Sequence, residues 1–200
     1  MEQGVMCKNG SRGYAARITL SGRSFFLKQY YLKSGVYRFV DFFRGSRGER
    51  TWKINIRMFE AGVVVPKPIA YLEEKRLGFW YNGYLLTEYI EGEGDLRNAW
   101  LQGDFLRRKE LISCAGELIA GLHRNGFVHG DLKWNNILSS QVNGRLMLVL
   151  SDLDGACRCR FICRRGVADD LARFMADFVA VGAEPEFSQR FLTAYRVATG

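Results

Sequence analysis

Asp131, Lys133 and Asn136 fall in one short stretch, His129-Gly130-Asp131-Leu132-Lys133-Trp134-Asn135-Asn136-Ile137-Leu138, set between two apolar stretches. An Asp, a Lys two residues on and an Asn five residues on form the spacing that phosphoryl transfer from a nucleotide uses. The Asp orients the acceptor hydroxyl or accepts its proton. The Lys offsets charge on the moving phosphoryl group, and the Asn holds a magnesium ion. Asp152 comes sixteen residues after Asn136, behind the apolar run Leu146-Met147-Leu148-Val149-Leu150. A strand ending in Asp is the right context for a second magnesium ligand. A plain Asp- and Asn-rich turn between a helix and a strand would account for the turn, but not for the strand and the further Asp.

These side chains need elements to carry them. Tyr14 to Leu20 and Ser24 to Lys28 read as two strands joined by Ser21-Gly22-Arg23. Lys28, at the end of the apolar Phe25-Phe26-Leu27, is placed to bind α- and β-phosphates. Asn9-Gly10-Ser11-Arg12-Gly13 precedes the first strand. Gly10 and Gly13 there would let backbone N–H groups approach phosphates, although an ordinary hairpin turn reads the same way. Little chain is left before this loop for a lead-in strand. A helix is expected from Gly48 to about Glu60, with Trp52, Ile56 and Phe59 on one stripe, and Gly62 stops it. This helix should supply an acidic partner for Lys28, and Glu49 is the candidate. Gly83 to Ile90 reads as a strand entering a hinge, where the backbone of Glu88, Tyr89 and Ile90 would bind an adenine edge. Glu91-Gly92-Glu93-Gly94 then breaks structure.

Phe105 to Arg124 has the periodicity of an amphipathic helix, with Leu111, Ala115, Leu118, Ile119 and Leu122 on one face and Gly126 at its end. His123 and His129 read as structural rather than as general bases. Further helices are expected over Asp169 to Val181 and Phe187 to Val197. Between Asp154 and the first of these lie Arg158, Arg160, Arg164 and Arg165, which could meet anionic groups of an acceptor. Cys157, Cys159 and Cys163 lie there too. Their C-x-C-x-x-x-C spacing is not that of a common structural zinc site, so ordinary reduced thiols are expected. Residues 30–53 are basic and aromatic, which suits either packing under a sheet or contact with an anionic surface.

Composition sets outer bounds. The 200 residues suit one unit of two small lobes. There is no apolar run of membrane-spanning length, and Met1 to Met6 lacks the pattern of a secretory signal. Five cysteines, odd in number and irregularly spaced, point to a reducing compartment. The formal charge of +8 favours an anionic partner. Nucleic acid is not expected, since charge alone would support it.

Together the residues resemble the lipopolysaccharide core kinase family, which includes Kdo and heptose kinases, within the wider protein-kinase-like group. The likeness rests on His129-Gly130-Asp131, with Gly where most protein kinases have Arg, and on Asp152-Leu153-Asp154. It also rests on the run from Lys28 through Ser46-Arg47, Trp52 and Glu60-Ala61-Gly62-Val63 to Pro66 and Pro68. Where family members often carry Glu directly before the first helix's aromatic residue, this chain has Thr51. The resemblance implies an α+β, two-lobed protein-kinase-like fold. Residues 1–90 would form a small nucleotide-binding lobe with an antiparallel sheet and one helix. Residues 91–200 would form a mainly helical lobe with the catalytic loop and acceptor site.

The resemblance further implies that Asp131 is the catalytic base, aided by Lys133 and Lys28. Asn136 and Asp152 would be the magnesium ligands, with Asp154 assisting the metal or shaping the turn. ATP and Mg are the expected cofactors. The expected acceptor is a hydroxyl of a lipopolysaccharide inner-core sugar, and the expected location is the cytoplasm, peripherally at the inner face of the inner membrane, with an anionic membrane surface as a contact. The short stretch after Asp154, without Ala-Pro-Glu, argues for a small or glycolipid acceptor. An atypical, Rio-like protein kinase and a silent nucleotide-binding module are the alternatives.

Overall fold

The structure, a computed structural model, describes residues 5–10, 13–31, 45–76, 79–159 and 163–200. Ser11 and Arg12 of the glycine-containing loop, most of the basic aromatic segment (residues 32–44) and Arg160 fall outside them. Backbone contacts divide the chain into two compact units. Met1–Arg57 with Pro66–Tyr89 forms one, and Met58–Val65 with Ile90–Gly200 the other.

The first unit is built on a five-stranded antiparallel sheet of β1 (Val5–Gly10), β2 (Gly13–Leu20), β3 (Arg23–Tyr31), β4 (Pro68–Arg76) and β5 (Phe79–Glu88), in the order β1-β2-β3-β5-β4. The chain before the glycine loop therefore does form a lead-in strand, β1. Gly10 faces Gly13 across the tip of the β1–β2 hairpin. A side chain on Gly13 would run into the carbonyl oxygen of Gln29 on β3, so close backbone approach demands glycine there.

Helix α1 (Arg47–Glu60) begins with a side-chain cap, the Ser46 hydroxyl accepting from Glu49 N–H at 3.0 Å. Its buried residues are Gly48, Thr51, Ile54, Asn55 and Met58. Trp52 and Ile56 are only half-buried, and Phe59 is 43% exposed. The expected apolar stripe is thus not the buried face. Gly48 explains the rotation. A Cβ there would sit 2.8 Å from the Tyr71 ring and 3.0 Å from Tyr30, so the helix lies with its smallest residue against the two tyrosines. The Tyr71 hydroxyl is within 2.7 Å of Ser46 Oγ and donates to Glu73 at 2.8 Å, and its ring stacks near Trp52. Burial, more than the Ser46 and Glu73 contacts, pushes the Tyr71 hydroxyl well above the ordinary tyrosine range.

The second unit is mainly helical. β6 (Gly94–Asp95) leads into α2 (Leu96–Gln102), followed by α3 (Phe105–Arg124), β7 (Phe127–Val128), β8 (Ile137–Val142), β9 (Arg145–Leu150), β10 (Cys157–Arg158), α4 (Arg164–Ala180) and α5 (Pro185–Thr199). Asp95 and Asp104 cap α2 and α3 through their carboxylates. Helix α4 starts at Arg164, a turn and more before the expected Asp169, so Asp170 lies inside the helix rather than at its end. An aromatic cluster fills the core: Trp100 meets Trp134 at 5.2 Å and Phe187 at 4.7 Å, and Phe174 stacks on Phe191 at 4.4 Å. Helices α3 and α5 approach closely at Gly116, where a Cβ would lie 2.8 Å from Ala194 Cβ. No described helix is long and apolar enough to cross a membrane.

Candidate active site

The loop from His129 to Asn136 emerges from β7, whose two residues are buried and pair with β10. Gly126, with φ +76°, ends α3 and turns the chain into that strand. Gly130 also has positive φ (+77°), and a side chain on it would strike the Gly155 carbonyl. Local backbone therefore accounts for Gly before Asp131.

The start of the loop is held by a residue that the sequence reading passed over. Asp170, fully buried on α4, accepts the backbone N–H of His129 at 2.6 Å on one oxygen and that of Gly130 at 2.9 Å on the other. His123 Nε2 lies 3.5 Å from the same carboxylate, and its Nδ1 is 2.9 Å from the Tyr195 hydroxyl. Burial by itself would raise the Asp170 carboxyl. The His123 contact and the two backbone donors outweigh it and hold the group below the ordinary aspartate value. The available signal was an Asp-Asp pair in a helix with an otherwise apolar face, which does not say which carboxylate turns inward.

His129 is buried, and burial lowers its imidazole below the ordinary histidine value, which favours the neutral ring. Its Nε2–H donates to the Ser151 carbonyl at 2.9 Å, which leaves Nδ1 to face the Asp131 N–H at 3.4 Å. Ser151 N–H in turn donates to the Asn136 carbonyl at 2.8 Å. Ser151 is thereby pinned on both sides, and the next residue, Asp152, takes a left-handed conformation (φ 54°, ψ 59°). A non-glycine residue there costs on the order of 1–3 kcal/mol and persists where the surroundings over-determine it.

Asp131 itself accepts from Lys133 Nζ at 2.9 Å and from Asn136 Nδ2 at 3.1 Å. The same Asn136 Nδ2 donates to the Asp131 carbonyl at 2.8 Å. Desolvation opposes ionisation of Asp131, but the hydrogen bond and charge of Lys133, with the Asn136 amide, win and depress its carboxyl. Because Asn136 Nδ2 is committed to Asp131, the amide oxygen is the atom left for a cation. With the carboxylates of Asp152 and Asp154 it would offer a hard, all-oxygen donor set, the chemistry that suits a magnesium ion which keeps several waters and binds phosphate oxygens. Asp152 and Asp154 also have interactions of their own. Among the described residues no group of three or more His, Cys, Asp and Glu side chains is arranged to hold a metal, and Cys157, Cys159 and Cys163 are unbridged.

In the first unit, Lys28 stands in the middle of the sheet, paired with Ala15 on β2 and Leu85 on β5, its ammonium 5.2 Å from the Tyr30 ring centre. Glu49 forms its ion pair with Lys53 one turn along α1, and a Lys28–Glu49 pair is not among the ion pairs of the described residues. The backbone N–H groups of Glu88 and Tyr89 donate to the Lys67 and Ser24 carbonyls at 2.9 and 3.4 Å. Of the three expected adenine contacts, those two N–H groups are therefore already used within the sheet, and the Glu88 carbonyl accepts from the Thr87 hydroxyl at 3.3 Å.

Comparison with known proteins gives the arrangement a family. The chain is 37% identical over 136 residues to the 3-deoxy-D-manno-octulosonic acid kinase of Haemophilus influenzae (strain PittGG), which covers 64% of this chain and 55% of that protein. It is 33% identical over 135 residues to the enzyme of the same name from Pasteurella multocida (strain Pm70), with the same coverage of 64% and 55%. The chain thus spans about half the length of these curated relatives. A solved structure of WaaP in complex with acyl carrier protein superposes with a TM-score of 0.71 at 23% identity, covering 97% of this chain and 78% of that one, which establishes the protein-kinase-like fold. The family model for lipopolysaccharide kinases matches residues 8–195, and the chain belongs to the lipopolysaccharide kinase (Kdo/WaaP) family.

Proposed function

We propose that the protein transfers the γ-phosphate of ATP to a hydroxyl of a lipopolysaccharide inner-core sugar, Kdo or heptose. Family membership and the names of the relatives support the reaction class. The observation that carries the residue roles is the Asp131 carboxylate, held ionised by Lys133 and Asn136 in a loop anchored from below by Asp170. A depressed carboxyl is a weak base. Asp131 therefore orients the sugar hydroxyl and takes its proton late, as a loose phosphoryl-transfer transition state allows. Lys133 offsets charge on the phosphoryl oxygens, and Lys28 binds the α- and β-phosphates. Magnesium, held by the Asn136 amide oxygen and Asp152 with Asp154 nearby, would supply charge neutralisation. Gly10 and Gly13 serve close backbone approach to the phosphates. The acceptor is an anionic glycolipid, and the protein works peripherally at an anionic membrane face in the cytoplasm.

The test is γ-phosphate transfer from labelled ATP with magnesium to dephosphorylated lipopolysaccharide core, an aminoglycoside and a generic protein. Label is expected on the core. Asp131→Ala should abolish it while nucleotide binding, followed by thermal shift, stays. Label on protein alone would replace the sugar acceptor with a protein one. Loss of ATP binding together with activity in Asp131→Ala would remove the role given to Asp131.

A further inference from the structure

Asp170 fixes the first residues of the catalytic loop, but the chemistry sits further along it. The second half of the loop is a 3-10 turn, Trp134–Asn136, and its capping residue Lys133 makes no side-chain cap hydrogen bond. The first N–H of that turn would be an orphan donor inside the protein. It is met by Asp177, whose Oδ2 accepts Trp134 N–H at 2.8 Å. Asp177 lies about two turns beyond Asp170 on α4, and so on the same helix face. Its other oxygen faces Arg97 of α2 at 3.8 Å. The Trp134 ring is fully buried in the aromatic cluster with its indole N–H unpartnered, so the residue is tied through its backbone, its N–H to Asp177 and its carbonyl to the Ile137 N–H that closes the turn. Two carboxylates on one helix thus grip the loop on either side of Asp131 and Lys133.

We infer that Asp177 is a positioning residue for phosphoryl transfer, setting the turn that presents Asn136 to Asp131 and to the metal. This rests on the proposed kinase reaction. The link is short: Asn136 closes the turn, its N–H donating to the Lys133 carbonyl at 2.9 Å, and its amide reaches back to Asp131. A turn freed at Trp134 lets the Asn136 amide wander, which loosens a metal ligand and an Asp131 anchor together. Asp95 braces the neighbouring residue, accepting from Asn135 Nδ2 at 2.8 Å, but at an exposed site and through a side chain, so it does not substitute for the backbone bond.

The experiment compares Asp177→Ala, Asp177→Asn and Arg97→Ala in the full chain. Asp177→Asn keeps an oxygen acceptor for Trp134 N–H, and Arg97→Ala keeps the carboxylate. Asp177→Ala should lower kcat about 10–100-fold and raise the magnesium concentration needed for half-maximal rate, with little change in KM for ATP. The other two variants should stay near wild type. Amide hydrogen exchange, read without any reaction, should accelerate at residues 134–136 in Asp177→Ala while residues 129–130, held by Asp170, remain protected. Unchanged exchange at 134–136, or a loss of rate in Asp177→Ala that only tracks the folded fraction, would overturn the proposal. So would equal loss in Asp177→Asn. If wild type phosphorylates none of the acceptors, the kinase reading fails by itself, and the exchange data still decide whether Asp177 holds the turn.

Discussion

A carboxylate offers two acceptor oxygens and an amide only one, and Asp170 depends on that difference. Each of its oxygens serves one backbone N–H of the His129–Asn136 loop. Asp170→Asn would turn an NH2 group towards one of those donors and leave it unsatisfied in a buried place. That should cost about 2–3 kcal/mol at pH 7, measured by urea denaturation. The pH dependence has a definite sign. The folded carboxyl lies below its ordinary value, so its contribution is complete above the unfolded value of about 4 and is lost as pH falls through the folded value. The gap in stability between wild type and Asp170→Asn should therefore hold from neutral pH down to about pH 4 and narrow below it. A gap independent of pH would show that shape rather than charge carries the effect.

Helix packing makes a contrast within one element. Gly116 and Gly121 both lie on α3. At Gly116 a Cβ would come 2.8 Å from Ala194 Cβ and 2.9 Å from the Phe191 carbonyl of α5, a contact with backbone that cannot move aside cheaply. At Gly121 nothing lies within 4 Å of that position. Gly121→Ala should thus stabilise by up to about 1 kcal/mol through helix propensity. Gly116→Ala should destabilise by about 1–3 kcal/mol as α5 is pushed away. Thermal unfolding of the two variants checks this, and a gain at both positions would refute the close α3–α5 approach.

The same contrast shows where sequence reading stops. The period of α3 and the two apolar runs of β2 and β3 about the Ser21-Gly22-Arg23 turn are local patterns, and all three elements were legible. So was the loop, because its Asp, Lys and Asn answer one another at short range. The buried face of α1 was not legible, because it is chosen by Gly48 against Tyr30 and Tyr71, and not by the apolar Trp52, Ile56 and Phe59. Nor were Asp170 and Asp177, whose partners are backbone N–H groups some forty residues away. A side chain that binds peptide groups leaves no residue type at the other end to be recognised.

Charge is distributed over the whole molecule in a way that no single motif reveals. The first unit, Met1–Arg57 with Pro66–Tyr89, holds 15 Lys and Arg against 6 Asp and Glu, a net +9. The second holds 14 against 15, a net −1, so the first unit carries the whole positive excess. Part of it lies along the outer side of α1, where Arg50, Lys53 and Arg57 are exposed at helical spacing. Glu49 offsets Lys53 locally. Each basic residue held near an anionic bilayer contributes about 1 kcal/mol of attraction, which fades beyond a Debye length. If the proposed peripheral contact is electrostatic and made by this unit, the protein should sediment with phosphatidylglycerol vesicles and not with phosphatidylcholine ones. Binding should weaken as salt rises. Reversing Arg50 and Arg57 to Glu should weaken it strongly, whereas reversing Arg190 and Arg196 on α5, in the near-neutral unit, should change it little. Equal loss from both sets would mean that net charge alone drives the association, and equal binding to both vesicle types would mean that charge does not drive it.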